Sequence, residues 1–148
     1  MIVFNVQRKQ KYSIMPLNSK KQCVHAFMKS RPYNAIVKVW IKAIVAAFPD
    51  VPIVPVIGNN DVVYHDQAPL PGNDHTQYYA DTWSIFFKEV PANAAMAANS
   101  TIEGTWMSGG WYVYEIAPDV MIINLNGMYP FYENWTDREN ADNMLAWV

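Results

Sequence analysis

Asn59 and Asn60 stand together in Gly58-Asn59-Asn60-Asp61, directly after the apolar run Ile53-Val54-Pro55-Val56-Ile57. Polar amides and a carboxylate just past the carboxyl end of an apolar strand occupy the position where α/β proteins place their ligands. Gly58 allows a sharp exit that a residue with a Cβ resists. An asparagine amide oxygen can complete a divalent metal's shell without adding charge. The same four residues also make an ordinary turn, because Asn and Gly lead the turn-forming residues. His65 lies in the loop that follows. It is a candidate for proton transfer near neutral pH, with a solvated loop histidine as the alternative. Asp61 is a candidate to support the two amides, and turn or cap roles account for it equally. Asn126 ends a later strand and is a candidate to face the same groove; local hydrogen bonding at the strand end is the simpler account.

These residues need elements to hold them. Tyr33 to Phe48 has helical periodicity, with Ile36, Val37, Trp40, Ile41, Ile44, Val45 and Phe48 on one broad face and Pro49 as its stop. Pro52 to Ile57 reads as a short strand buried on both faces, which implies a parallel sheet with helices over it. Val62 to Asn73 is a Pro-, Gly-, Asp- and His-containing loop. A second helix spans Asp74 to Glu89, with Tyr78, Tyr79, Trp83, Phe86 and Phe87 as an aromatic core face. Pro91 to Ser100 reads as helix in part and then loop. Trp111 to Ile116 and Val120 to Leu125 form an antiparallel hairpin around Ala117-Pro118-Asp119. Thr136-x-x-Glu139 is a capping box, so a last helix starts near Asp137. The expected topology pairs Pro52–Ile57 with Val120–Leu125 in one sheet, with the first helix packed on it through Trp40 and Ile44.

The bulk numbers narrow the class. With 148 residues, 51% of them hydrophobic and 16% charged, the chain can build a core and is not disordered. A net charge of −2 gives no basic field for nucleic acid, although Lys9 to Lys29 is locally basic. The best apolar run, Ala35 to Phe48, is too short to span a bilayer and carries Lys38 and Lys42. Met1-Ile2-Val3-Phe4 is followed at once by polar residues and does not read as a signal peptide. The single cysteine, Cys23, excludes an internal disulfide and a cysteine-based metal site. His25 and His75 read as surface or packing residues.

The order of the pieces is informative. A helix leads to a proline-containing strand and Gly58-Asn59-Asn60-Asp61. Tyr64-His65-Asp66-Gln67, an aromatic helix, Gly109-Gly110-Trp111-Tyr112, the strand Ile122-Ile123-Asn124-Leu125-Asn126 and a helix ending in Met144-Leu145-Ala146-Trp147 follow. From about Tyr33 to Val148 this order resembles the calcineurin-like metallophosphoesterases, most closely their acid sphingomyelinase-like phosphodiesterase and endopolyphosphatase branches. Most such enzymes carry Gly-Asn-His before an acidic residue; Gly-Asn-Asn-Asp with a nearby His resembles the endopolyphosphatases.

The resemblance implies an α/β fold: an incomplete calcineurin-like phosphoesterase fold with mixed sheets flanked by helices. It divides the chain into residues 1–31, unassigned, and a partial metallophosphoesterase domain over 32–148. It implies hydrolysis of phosphoanhydride or phosphodiester bonds, with two divalent metal ions (Zn, or Mn, Fe or Co) in the complete protein. By resemblance Asn59 ligates one metal. Asn60 replaces the histidine that contacts phosphate or protonates the leaving group, and His65 is the imidazole that could supply that proton. The family's Asp-x-His, Gly-Asp and two later His motifs are absent, and residues 1–31 hold no Asp and no Gly. The chain is therefore expected to be an internal piece, inactive by itself and not holding metal alone. The other class is a non-catalytic relative serving as a binding or structural module.

Asn99-Ser100-Thr101 and Asn134-Trp135-Thr136 match the acceptor pattern for N-glycosylation. They point to a parent protein of the secretory pathway, extracellular or lysosomal or vacuolar. The expected partner is a phosphate-containing substrate, polyphosphate or a phosphodiester.

Overall fold

A computed structural model of the chain describes residues 32–58, 61, 62, 68, 69, 72–129 and 137–148. The first element, α1, runs from Pro32 to Ala47. Its end is set where Phe48 N–H still reaches Ile44 C=O at 2.8 Å and Pro49 can offer no further N–H. The buried seam of α1 is centred on Ile41, flanked by Val37, Ile44 and Val45, and packs against Ile53, Ile85 and Val90. This corrects the expected seam: Ile36, Trp40 and Phe48 are exposed, Trp40 by 51%. The apolar stripe of α1 is wider than the ridge of neighbours available to cover it. Asn34 Nδ2 to Asp81 Oδ2 at 2.9 Å and Lys38 Nζ to Glu89 Oε1 at 2.7 Å fasten α1 to the helix that follows.

That helix, α2, spans Asn73–Trp83 and continues into a π-helical turn at Ser84–Lys88, marked by Glu89 N–H to Ser84 C=O at 2.9 Å. Ile85 and Phe87, two residues apart on this turn, serve two different apolar clusters. Ile85 joins the seam of α1, and Phe87 joins the main core around Trp106. The expected aromatic face is core: Tyr79, Trp83 and Phe87 are buried, with Tyr78 and Phe86 packed beside them. Trp83 stacks on Phe87 at 4.1 Å, and Phe87 meets Trp106 edge-on at 5.0 Å.

After a short 3-10 turn at Pro91–Asn93 and α3 at Ala94–Ala97, a helix not expected from the sequence, α4, covers Ser100–Gly109. Asn99 caps it, and Gly110 ends it at φ +79, a left-handed conformation that glycine adopts without strain. Strands β1 (Tyr112–Ala117) and β2 (Val120–Asn124) form the expected antiparallel hairpin, with Asp119 at φ 67 in its turn and an irregularity between Glu115 and Ala117. The last helix, α5, is Arg138–Trp147. Its cap is Asp137, whose Oδ1 accepts Asn140 N–H at 3.1 Å. The helix start is as expected, but the capping residue is one position later than the sequence pattern placed it.

The fold is mixed α and β, and its topology departs from expectation. Among the described residues the sheet has the two strands of the hairpin only, and 52–58 is extended without a ladder. Pro52 and Pro55 have no N–H to give to a ladder. Ile53 bonds the side chain of Asn93 instead. The Pro55 carbonyl accepts from Tyr112 Oη at 2.9 Å and Asn124 Nδ2 at 2.7 Å. Ile53, Pro55 and Ile57 face inward while Val56 is exposed, so the segment is buried on one face rather than both. No helix of the described residues is long and apolar enough to cross a membrane.

Candidate functional site

The extended segment and β2 end together. Ile57 C=O accepts Gly127 N–H at 3.0 Å, the one backbone bond between them among the described residues. A side chain at Gly110 would strike Ile57 Cδ1 at 2.6 Å and Tyr79 Cε1 at 2.9 Å, so the α4–β1 corner presses directly on this junction. The chain then leaves Ile57 through Gly58, which is tied to Asp61.

Both ends of the Gly58–Asp61 turn are tied. Asp61 N–H donates to Gly58 C=O at 3.1 Å, and Asp61 Oδ2 accepts Gly58 N–H at 2.8 Å. Tyr78 Oη, from α2, donates to Asp61 C=O at 3.0 Å. Asp61 thus closes the turn with its backbone and carboxylate together, and Tyr78 fixes the turn to the aromatic helix. A carboxylate taking a backbone N–H gives a charge-assisted bond, stronger than its neutral counterpart. Asn59, Asn60 and His65 lie outside the described residues, as do Asp66 and Asn134.

Asn126 stands beside the junction and is fully buried. Its Nδ2 donates to Gly109 C=O at 2.8 Å and Tyr79 Oη at 3.1 Å, and its Oδ1 accepts Met128 N–H at 3.1 Å. Asn126 therefore pins the end of β2 to α2 and α4. Tyr79 Oη lies 3.0 Å from Tyr129 Oη, which extends the network into the loop after β2. Burial raises the pKa of Tyr79, Tyr112 and Tyr129 above the usual phenol range; for Tyr79 the neighbouring phenol of Tyr129 adds to it. These hydroxyls are neutral hydrogen-bonding groups at physiological pH.

His75 is half-buried between elements. Its Nε2 is 3.1 Å from Ser108 C=O and 3.1 Å from Asn140 Nδ2, and its ring lies 4.6 Å from that of Tyr79. It joins α2, α4 and α5, which is the packing alternative of the surface or packing role read from the sequence. Sequence reasoning missed Tyr78, Gly110 and Gly127 as residues that position the turn. The signal for two of them was present: each glycine sits at the edge of a strand, where close backbone approach is common.

Among the described residues no three His, Cys, Asp or Glu side chains converge as a metal-binding group would require. Asp61 already spends one carboxylate oxygen on Gly58. The apolar groove along α1, lined by Val39, Trp40, Ala43, Ile44, Ala47 and Phe48, has no polar side chain and no chemistry of its own.

Comparison with known proteins gives three relatives. The chain is 33% identical over 87 residues to an endopolyphosphatase of Neurospora crassa, a match covering 57% of this chain and 10% of that protein. It is 33% identical over 87 residues to the sphingomyelinase phosphodiesterase C of Dictyostelium discoideum, covering 59% of this chain and 17% of that protein. It is 28% identical over 90 residues to an endopolyphosphatase of Schizosaccharomyces pombe, covering 60% and 14%. The chain thus spans only 10–17% of the length of these relatives. The three matches point to a metallophosphoesterase-like relationship. They do not separate its branches, since both names occur at the same 33% identity. No family model matches the chain, and no solved structure matches it significantly.

Proposed function

We propose that these residues belong to a phosphohydrolase that cleaves phosphoanhydride bonds, with linear polyphosphate as the substrate class. The observation that carries this reading is the Gly58–Asp61 turn, closed by Asp61 and held by Tyr78 where two apolar segments end together. The names of the relatives support a phosphate-containing substrate, and the choice of polyphosphate over a phosphodiester rests on the chemistry of Asn60.

The chemistry assigned to this chain is limited to its own side chains. Asn60 can donate a hydrogen bond to a phosphoryl oxygen but has no proton to transfer at neutral pH. A phosphate leaving group is a weak base and tolerates that loss; an alkoxide does not. Two divalent metals, bound through Asn59 and ligands outside this chain, would activate water in the complete protein. The described residues do not fit that group by themselves. We propose a secretory, lysosomal or vacuolar compartment for the parent protein, a reading that the two sequons support.

The test compares the chain with a longer polypeptide in which the Asp-x-His, Gly-Asp and later His motifs are supplied around it. The chain alone, with Zn²⁺, Mn²⁺ or Co²⁺, is expected to show no turnover of polyphosphate or of an activated aryl phosphodiester. The longer polypeptide is expected to cleave polyphosphate faster than phosphodiesters with alkoxide leaving groups. Asn60→His should raise the latter by about 10²-fold, the low end of general-acid catalysis. If His65→Ala alone abolishes cleavage of poor leaving groups, His65 is the acid and the substrate argument from Asn60 fails. Polyphosphate binding without turnover by the longer polypeptide would favour the non-catalytic binding module.

A further inference from the structure

Five of the described asparagines donate through their amide nitrogen. Asn93 Nδ2 donates to Ile53 C=O and Phe86 C=O, Asn124 Nδ2 to Pro55 C=O, and Asn126 Nδ2 to Gly109 C=O and Tyr79 Oη. Asn34 and Asn140 each donate to an aspartate. Among the described residues, Asn99 is bonded through its amide oxygen without its nitrogen. Its Oδ1 is turned into the first turn of α4, where it accepts Thr101 N–H at 2.9 Å and Ile102 N–H at 3.2 Å. Because the amide is planar, an oxygen facing into the helix aims Nδ2 away from it. That nitrogen has no hydrogen-bond partner among the described residues, and Asn99, Ser100 and Thr101 are all exposed.

Asn99-Ser100-Thr101 is also an acceptor triplet for N-linked glycosylation. We infer that Asn99 is a glycan-bearing helix cap: its Nδ2 carries an N-linked oligosaccharide while its Oδ1 continues to cap α4. The reaction is oligosaccharyl transfer from a lipid pyrophosphate-linked oligosaccharide in a secretory compartment. The bond between the sugar's anomeric carbon and the phosphate oxygen breaks, and the lipid pyrophosphate leaves with its electron pair. A bond forms from that carbon to Nδ2, and one amide proton is released. The product is still an amide, so Oδ1 keeps its acceptor geometry and both capping bonds survive. A buried asparagine such as Asn126, which donates both amide hydrogens, could not be modified without losing at least one of those bonds; Asn99 loses none. The inference is independent of the activity proposed above.

The full chain behind a cleavable secretion leader is translated into microsomes, and only protease-protected chains are scored, so that every molecule counted has reached the lumen. Peptide mass spectrometry follows release of glycans by an amidase in heavy-oxygen water, which marks each modified asparagine. The expected result is a mark at position 99 in most chains. Thr101→Ala keeps Asn99 and its cap but destroys the acceptor triplet, and should lose that mark entirely with helix content unchanged. Protected chains unmarked at position 99, including chains marked only at Asn134, overturn the inference. So does a mark that persists in Thr101→Ala.

Discussion

The side chain of Asn93 holds both backbone groups of Ile53: its Oδ1 accepts Ile53 N–H at 2.9 Å, and its Nδ2 donates to Ile53 C=O at 2.8 Å. A primary amide presents the donor and acceptor that a neighbouring strand would present, and here it stands in for one. Asn93 is fully buried, and its second amide hydrogen reaches Phe86 C=O at 2.8 Å. Asn93→Ala strands Ile53 N–H, Ile53 C=O and Phe86 C=O. At about 1–3 kcal/mol per buried unpaired group, with some recovered by water, the expected loss is roughly 2–5 kcal/mol. Urea denaturation of the chain measures it; a loss below about 1 kcal/mol would show that the amide is not what holds the segment.

Two glycines give opposite outcomes for the same substitution. Gly104 lies inside α4 with nothing within 4 Å of an added Cβ, so Gly104→Ala should stabilise by about 0.5–1 kcal/mol through helix propensity. Gly110 sits at φ +79 with Ile57 Cδ1 at 2.6 Å from the added carbon. Gly110→Ala should cost roughly 2–4 kcal/mol, from the left-handed backbone plus overpacking. Thermal denaturation of the pair reads the sign directly.

Alkaline pH should unfold the chain earlier than its nine tyrosines alone would require. The pKa values of Tyr79, Tyr112 and Tyr129 are raised in the folded state, chiefly by burial. Below pH about 10 both states keep these protons and stability is undiminished. Above it the unfolded chain releases protons that the folded chain retains, so stability falls as pH rises. The slope is at most about 1.4 kcal/mol per pH unit for each phenol. Urea titrations at several pH values should show this decline, and Tyr112→Phe should flatten it. A stability independent of pH between 9 and 12 would contradict the burial assigned to these rings.

Asp61→Ala removes the carboxylate that accepts Gly58 N–H and leaves the backbone bond between the same residues. The expected effect is local: loss of roughly 1.5–3 kcal/mol, the scale of a hydrogen bond to a charged group. Hydrogen exchange at the Gly58 amide should accelerate correspondingly, with the amides of α4 unaffected. Asp61→Asn restores an acceptor oxygen and should recover part of the protection.

Elements with strong periodicity were legible in the sequence. The helix at Pro32–Ala47, the aromatic helix from Asn73 and the hairpin all declare themselves by spacing, and Pro49 and Pro118 mark their ends. The sequence reading failed where long-range partners decide. Ile53-Val54-Pro55-Val56-Ile57 has strand composition, yet Ile53 and Pro55 bond to side chains 40 to 69 residues away, which no local pattern announces. Helix α4 was missed because Gly104 and the β-branched Thr101, Ile102 and Thr105 dilute its propensity. Trp40 was misassigned because periodicity gives a face but not the width of its partner. For the site, the sequence singled out Asp61 after an apolar run and Asn126 after a strand. It could not show that one closes the turn while the other locks the core beneath it.

The Pro55 carbonyl, shared by a hydroxyl from β1 and an amide from β2, has a kinetic consequence. Its partners are 57 and 69 residues downstream, and they reach it from two strands that must already be in register. Hairpin closure is local and fast, whereas joining it to residue 55 closes a long loop and carries the larger entropy cost. The stretch leading into Asn59 and Asn60 is therefore expected to be among the last parts to settle during refolding. Pulse-labelling hydrogen exchange can time it: the Gly127 amide, bonded to Ile57 C=O at 3.0 Å, should gain protection after the amides within the hairpin.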